Sequence, residues 1–407
     1  VLTRPASALD HLLAPETIAN PHSFYGELRE QHPVYWNAQF QLWVVTRYDD
    51  VSTLLQDPRL HWSQGNPDMQ DTGPADLAGR HYLESFRANT IIAKDGAEHT
   101  RLRRLIHAAF TPRIVEQMRA TIQRETDRLI DAVLTKGSFE VLADLAAVLP
   151  RQTIFALCGV PDHAWRQIVR GADALVFSLS EQRPPPGRFA AWADDLRVGE
   201  AYLREFIAGR RAAPQDDLLG ALLLAEENGS LLNEQELVNF VYALLLAGFE
   251  TTAHLIANGL LTLLRHPEQL ECLRSDPALI GSAVQELLRF EPAVMNVMRL
   301  TREPLSLHGQ TIPPGQVVLL SLATANRDPR QFPAPERLDI TREPNRHLSF
   351  GYGPHYCIGA ALARLECQIA IGSVLERMPG LRLTGEPLRW LPNFLVRGLH
   401  SLPLLIG

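Results

Sequence analysis

The stretch Phe350-Gly351-Tyr352-Gly353-Pro354-His355-Tyr356-Cys357-Ile358-Gly359 decides how this chain is read. It sets one cysteine in a glycine-punctuated loop, directly before the helical pattern Ala360-Ala361-Leu362-Ala363-Arg364-Leu365-Glu366. A thiol at that point is placed to become a thiolate. The positive end of a helix and the free N–H groups of its first turn both favour a negative sulfur. Gly351, Gly353 and Gly359 have no side chains, so a large flat group can lie close to the backbone. His355 offers a cation to an acidic substituent of such a group. A buried cysteine is most often an inert small hydrophobe, and Cys158 and Cys367, in apolar surroundings, read that way. Neither they nor Cys272 shows ligand-like spacing.

The spacing Phe-x-x-Gly-x-His-x-Cys-x-Gly resembles the haem loop of the cytochrome P450 family, in which the cysteine is the proximal iron ligand. A second segment supports the resemblance. Asn233 and Glu236 form a variant of the capping box, and a helical pattern runs from Leu237 to Arg265 before His266-Pro267. At 1.5 Å per residue this helix is roughly 45 Å long. It is nearly all apolar, but Asn239, Glu250, His254 and Asn258 interrupt it, which predicts a buried core helix rather than a membrane span. In its middle lies Ala247-Gly248-Phe249-Glu250-Thr251-Thr252. A mid-helix glycine costs about 1 kcal/mol relative to alanine, and an unpaired buried carboxylate costs more. The segment resembles the family's oxygen-activation motif. The resemblance places Ala247 and Gly248 beside the haem and gives Glu250 and Thr251 the handling of protons.

Glu286-Leu287-Leu288-Arg289 puts opposite charges one turn apart, between Asp276-Pro277 and Glu291-Pro292. It resembles the family's paired Glu and Arg, whose third partner would be Arg337 in Pro335-Glu336-Arg337-Leu338. The family more often has phenylalanine where Leu338 stands. This triad is read as architectural. Haem propionates need cations, and the resemblance assigns them to His99, Arg103, Arg299 and His355, with Phe350 and Cys357 completing the haem contacts.

Composition sets wider bounds. The 407 residues are 46% hydrophobic with a formal net charge of −7, which argues against general nucleic-acid binding. Four scattered cysteines suit a reducing compartment, and the first thirty residues lack a signal-like pattern. We expect one domain over 1–407, cytoplasmic and monomeric, with no membrane association. Helical periodicity dominates, as in the Thr111 to Val133 segment and the stretch through Leu218, Leu222 and Leu223 toward Asn228-Gly229. Strands are expected at Leu42–Thr46, Thr311-Ile312 and Val317–Leu320. Trp62 to Arg87 and Pro184 to Gly187 show no regular pattern.

The expected fold is mainly α, the cytochrome P450 fold with a long central helix and a smaller β-rich region. The implied activity is a haem-thiolate monooxygenase that uses heme b, O2 and two electrons to hydroxylate or epoxidise a sizeable lipophilic molecule such as a polyketide, macrolide or terpenoid. By family position the pocket draws on Ile91, Ile92, Ala243, Leu244, Ala247, Val294, Asn296, Val297, Phe394 and Leu395, with Asn296 as an orienting hydrogen bond. The chain has no flavin or iron–sulfur motif, so electrons are expected from a ferredoxin or flavodoxin with its reductase. Arg101, Arg104, Arg113 and Arg364 are candidate docking cations. A peroxide-driven haem enzyme and a non-enzymatic haem sensor are the alternatives. Neither requires the Glu250–Thr251 pair.

Overall fold

The structure, a computed structural model, describes residues 11–62, 74–180, 184–227 and 230–407. The chain is 59% helical with a small β region. The helices that carry the functional argument are, in chain order, α1 (Pro21–Gln31), α2 (Pro74–Ala88), α3 (Gly96–Ala109), α4 (Arg119–Lys136), α5 (Leu149–Leu157), α6 (Trp165–Ser180), α7 (Arg188–Ala212), α8 (Glu234–Arg265), α9 (Ile280–Phe290) and α10 (Ala360–Arg377). The main strands are β1 (Val34–Asn37), β2 (Leu42–Val45), β3 (Leu60–Trp62), β4 (Asn296–Thr301) and β5 (Val317–Ser321).

The chain forms two compact units, each assembled from separate stretches. One gathers Val1–His61, Ile122–Leu149 and Thr251–Gly407; the other gathers Trp62–Thr121 and Pro150–Glu250. The boundary falls inside α8, between Glu250 and Thr251.

The first unit holds the five-stranded sheet, ordered β1-β2-β5-β4-β3. β5 runs parallel to β2, with Val318 beside Trp43, and antiparallel to β4, with Val318 opposite Arg299. The sheet is apolar on both faces. Trp43, Val45, Val318 and Leu320 enter one core cluster, and Leu42, Val44 and Leu319 enter another. That alternation follows from the two-residue period of a strand. α9 and α10 pack together in the same unit, and a side chain at Gly259 of α8 would come 2.9 Å from Ile371 and 3.2 Å from Leu287.

The second unit is built on α2, α6 and α7. α2 lies within the Trp62 to Arg87 stretch that shows no regular pattern, and residues 63–73 of that stretch lie outside those described. Charges mixed through the sequence hide its periodicity. Tertiary packing decides the matter instead: a side chain at Gly79 would stand 2.5 Å from the Phe189 carbonyl oxygen, so only glycine lets α2 cross α7 this closely. Asp76 of α2 accepts hydrogen bonds from Gly187 N (2.5 Å) and Ala190 N (3.1 Å), capping α7 from another helix. Gly187 itself has φ +83°, which ends the Pro184–Gly187 loop in a left-handed turn.

Other expectations need smaller corrections. The Thr111 to Val133 pattern is two helices, Pro112–Gln117 and α4, separated at Met118. The Leu218 stretch is the helix Leu218–Leu224, followed by a short strand at Glu226–Glu227. Asn228-Gly229 lies outside the described residues. α8 begins where the capping residues place it: Asn233 N donates to Glu236 and Glu236 N donates back to Asn233, each at 2.9 Å. Length and apolarity alone would let α8 cross a membrane, but two-thirds of its most apolar window (67%) is buried within the protein.

Candidate active site

In the first unit, backbone hydrogen bonds fold the cysteine loop on itself. Cys357 N donates to Phe350 O (2.8 Å), Gly351 N to Leu348 O (2.7 Å) and Tyr356 N to Gly353 O (3.0 Å). Gly351 and Gly353 have φ of +71° and +75°, a region L side chains rarely enter. α10 starts three residues after Cys357, and a side chain at Gly359 would come within 3.9 Å of the sulfur. Cys357 and His355 are half-buried.

Two residues behind this loop hold it in ways its spacing does not show, His347 and Arg364, the latter expected as a docking cation. Arg364 stacks 4.4 Å over the Phe350 ring and donates to Gln285 Oε1 (3.2 Å) and Tyr356 Oη (3.1 Å). His347 Nδ1 accepts from Ser349 N (3.2 Å), so Nε2 is the donor to Gln285 Oε1 at 2.9 Å. Burial, with Arg364 and Arg289 nearby, pushes the His347 pKa down to about 3, so the ring is neutral at ordinary pH. Spacing cannot reveal that a guanidinium one turn into a helix folds back onto the loop.

The same unit holds Arg299 on β4, buried, with Nη1 donating to Met298 O at 2.9 Å. Val294 and Val297 are half-buried against the Trp43 cluster, and Phe394 and Leu395 against the Tyr25–Val44 cluster. Asn296 is fully buried.

In the second unit, Ile91 is buried and Ile92 half-buried in a 3-10 turn at Ile91–Ala93. His99 and Arg103 stand one turn apart on α3, the first buried and the second half-buried. Along α8, Ala243 is buried, but Leu244, Ala247, Gly248 and Thr251 form an i, i+3, i+4, i+7 stripe that protein does not seal. Ala247 is exposed near the centre of a mostly buried helix. A side chain at Gly248 would come 2.8 Å from Ile154 Cδ1, so this glycine also admits α5.

Glu250 is half-buried and close enough to Asp173 for its charge to act there. Burial raises the Asp173 carboxyl above its ordinary range, Arg151 opposes the shift, and Glu250 adds to it. Arg151 lies 3.7 Å from Asp173 and 4.4 Å over the ring of Phe249, the neighbour of Glu250.

Comparison with known proteins agrees with this geometry. A family profile described as Cytochrome P450 matches residues 196–379. Cytochrome P450 CYP107DY1 of Priestia megaterium is 39% identical over 98% of this chain and 98% of its own. The polyketide biosynthesis cytochrome P450 PksS of Bacillus subtilis is 37% identical over 95% of this chain and 96% of its own. Among solved structures, P450BioI in complex with a hexadec-9Z-enoic acid ligated acyl carrier protein aligns with a TM-score of 0.87 and 36% identity, covering 96% of this chain and 99% of that one.

The chain belongs to the cytochrome P450 family. It is a haem b monooxygenase that acts on a lipophilic molecule and takes electrons from a redox partner. The residues present fit the cofactor. Burial raises the thiol pKa of Cys158 to about 12 and that of Cys367 well above its usual value, whereas Cys357 is half-buried at a helix start. Along α8, Leu244, Ala247, Gly248 and Thr251 leave a stripe that protein does not bury.

Four residues differ from expectation in this cytochrome P450: Arg337, Asn296, Arg101 and Arg364. Glu286 and Arg289 do form a fully buried pair, with Arg289 Nε and Nη2 each 2.8 Å from a carboxylate oxygen. The third arginine is Arg342, not Arg337: Arg342 Nε lies 3.2 Å from both Glu286 oxygens. Arg337 is exposed and contributes only its carbonyl, because the neighbouring Leu338 takes the inward position. Asn296 Nδ2 is committed to Tyr25 Oη (3.1 Å) and Phe394 O, which leaves only its Oδ1 without a hydrogen-bond partner. Of the four docking arginines, Arg101 pairs with Glu236 and Arg364 is held by the cysteine loop, while Arg104 and Arg113 are exposed.

Proposed function

We propose that Cys357 is the axial thiolate of this cytochrome P450, and that its substrate is a sizeable polyketide, macrolide or terpenoid hydroxylated or epoxidised through Glu250 and Thr251. The observation that carries this reading is the half-buried cysteine in a loop closed by Phe350 and opened by Gly351, Gly353 and Gly359 at the start of α10. When bound, haem supplies the redox chemistry of oxygen activation, with the thiolate as an electron-rich ligand.

The chain's own residues do the rest. His99, Arg103, Arg299 and His355 would neutralise the two propionates. Phe350, Ala247 and Gly248 would help to hold the haem. Thr251 orients a proton at the reacting centre through its hydroxyl, and Glu250 resupplies that proton from the Asp173 side. Ile91, Ile92, Ala243, Leu244, Val294, Val297, Phe394 and Leu395 give an apolar lining, to which Asn296 adds one acceptor. Two relatives motivate the substrate class. One is named for polyketide biosynthesis and the other was captured with a carrier-bound fatty acyl chain. Electrons come from a ferredoxin or flavodoxin with its reductase. The protein works as a single 1–407 domain, a cytoplasmic monomer.

Cys357→Ser tests the assignment. The reduced carbon monoxide complex should lose its thiolate absorption band, whereas Cys158→Ser should keep it. An unchanged band in the Cys357 variant sinks the reading.

A further inference from the structure

A chain of polar groups in the second unit, buried at Glu200 and Asn239 and half-buried at Tyr82 and Gln235, ends on the backbone beside Ile91 and Ile92, and no step above uses it. Its hub is Glu200 of α7, 6% exposed. Glu200 accepts from Tyr82 Oη of α2 and from Gln235 Nε2 of α8 (3.2 Å), with Arg204 at 3.5 Å. Gln235 Nε2 also donates to Asn239 Oδ1 (2.8 Å), and its own Oε1 accepts from Arg204. Asn239, 3% exposed, completes the chain by donating from Nδ2 to the carbonyl of Asn89 at 3.0 Å. Asn89 and Thr90 close the end of α2, and Ala93 N then donates to Thr90 O in the turn that carries Ile91 and Ile92.

Asn239 is otherwise a poor choice for its place. A buried amide in an apolar helix costs free energy unless it is hydrogen-bonded. Here both ends of the amide are satisfied, and the donor end reaches a loop carbonyl 150 residues away in sequence. Asn239 also shares a face of α8 with Ala243 and Ala247, four and eight residues on. The amide thus fixes the distance between that face and the Ile91–Ala93 turn.

We propose that Asn239, held by the Gln235–Glu200–Tyr82 chain, is a positioning residue that sets the placement of Ile91 and Ile92 and so the grip of the pocket on its ligand. This rests on the reading of Ile91 and Ile92 as pocket lining. Asn239 touches no substrate in this scheme. It acts through the turn.

The test uses the haem-loaded protein and two optical probes, 4-phenylimidazole, whose aryl ring must occupy the pocket, and imidazole, whose ring is too small to need it. Asn239→Asp keeps the acceptor for Gln235 and removes the donor to Asn89. It should weaken 4-phenylimidazole roughly five- to tenfold, the worth of one hydrogen bond, and leave imidazole within about twofold. Glu200→Gln should give a smaller loss of the same kind. In both variants, amide hydrogen exchange should quicken at Ile91–Ala93, a readout independent of turnover and of haem ligation. Ile91→Ala supplies the control. If it weakens 4-phenylimidazole while Asn239→Asp changes neither affinity nor exchange, the positioning role is wrong. If Ile91→Ala itself has no effect, the pocket reading fails, and the proposal with it. Equal weakening of both probes in Asn239→Asp would also overturn it, by showing a general disturbance of the site.

Discussion

Glu286 and Glu250 are both helical glutamates, yet they sit in opposite surroundings. Glu286, on α9, is fully buried and takes hydrogen bonds from Arg289, Arg342, Asn345 and the backbone N–H of Asp339. A carboxylate has about four lone-pair sites, and these donors occupy them. Nothing remains to accept a travelling proton, so Glu286 can only hold structure. Glu250, on α8, is half-buried next to an exposed alanine and acts on a neighbouring carboxylate, Asp173. The same side chain becomes a strut when saturated with donors and a proton carrier when left accessible.

The largest expected effect lies on the sealed side. Arg289→Ala leaves the Glu286 charge buried and removes the hydrogen bonds of Arg289 to the carbonyls of Asn326 (2.9 Å), Pro335 (2.9 Å) and Arg337 (3.3 Å). Breaking a buried pair from one side costs about 3–5 kcal/mol, a large share of the stability of an ordinary domain. Little soluble, haem-loaded protein should form. Circular dichroism melting and haem content check this, and a variant that melts like the parent would show that Glu286 is as adaptable as Glu250.

The accessible side should behave in the reverse manner, with full stability and impaired chemistry. Glu250→Gln should slow oxygen consumption by about 100-fold, the low end for loss of a positioned proton donor, while the melting temperature holds. Thr251→Ala should fold as well as the parent, since alanine has the higher helix propensity. It should consume reductant but release hydrogen peroxide in place of product. Product per reductant, with peroxide quantified alongside, separates the two. Full coupling in Thr251→Ala would move the proton route elsewhere, to Thr252 or a substrate hydroxyl.

A smaller effect tests where the sequence could be read and where it could not. The cysteine loop, the reciprocal Asn233–Glu236 cap and the strands at Leu42, Thr311 and Val317 were legible because each depends on residues close in sequence. The Glu286–Arg289 pair was legible for the same reason, being three residues apart. Its third partner was not. Arg337 and Arg342 are equally basic and lie near one another in the chain, and only the fold shows that Leu338 turns inward and Arg342 reaches the carboxylate. The α2–α7 contact was hidden likewise, since Asp76 and Tyr82 find their partners Gly187 and Glu200 more than a hundred residues away. Arg342→Ala should therefore destabilise by about 1–3 kcal/mol, the cost of a lost hydrogen bond to a buried charge. Arg337→Ala should fall within about 0.5 kcal/mol, as exposed sites usually do. Denaturant midpoints for the two, measured side by side, decide between the arginines.

The smallest effect reports the Glu250 charge itself. Asp173 has its carboxyl raised above its ordinary 3.8, first by burial and in part by Glu250. Between the unfolded and folded values the native protein binds more protons at Asp173 than the unfolded chain does. Its contribution to stability therefore falls as pH rises through that window. Asp173→Asn should remove this component, so the difference in stability between variant and parent should grow as pH rises above the ordinary Asp value of 3.8. Glu250→Gln should remove only its own share, giving a change of the same sign and lesser size, because burial continues to act on Asp173. Arg151→Ala should act in the opposite direction, since Arg151 lowers the same carboxyl. Urea unfolding at a series of pH values gives all three. If Glu250→Gln leaves the Asp173-dependent slope untouched, the two carboxylates do not sense each other, and Asp173 cannot be the side from which Glu250 is resupplied with protons.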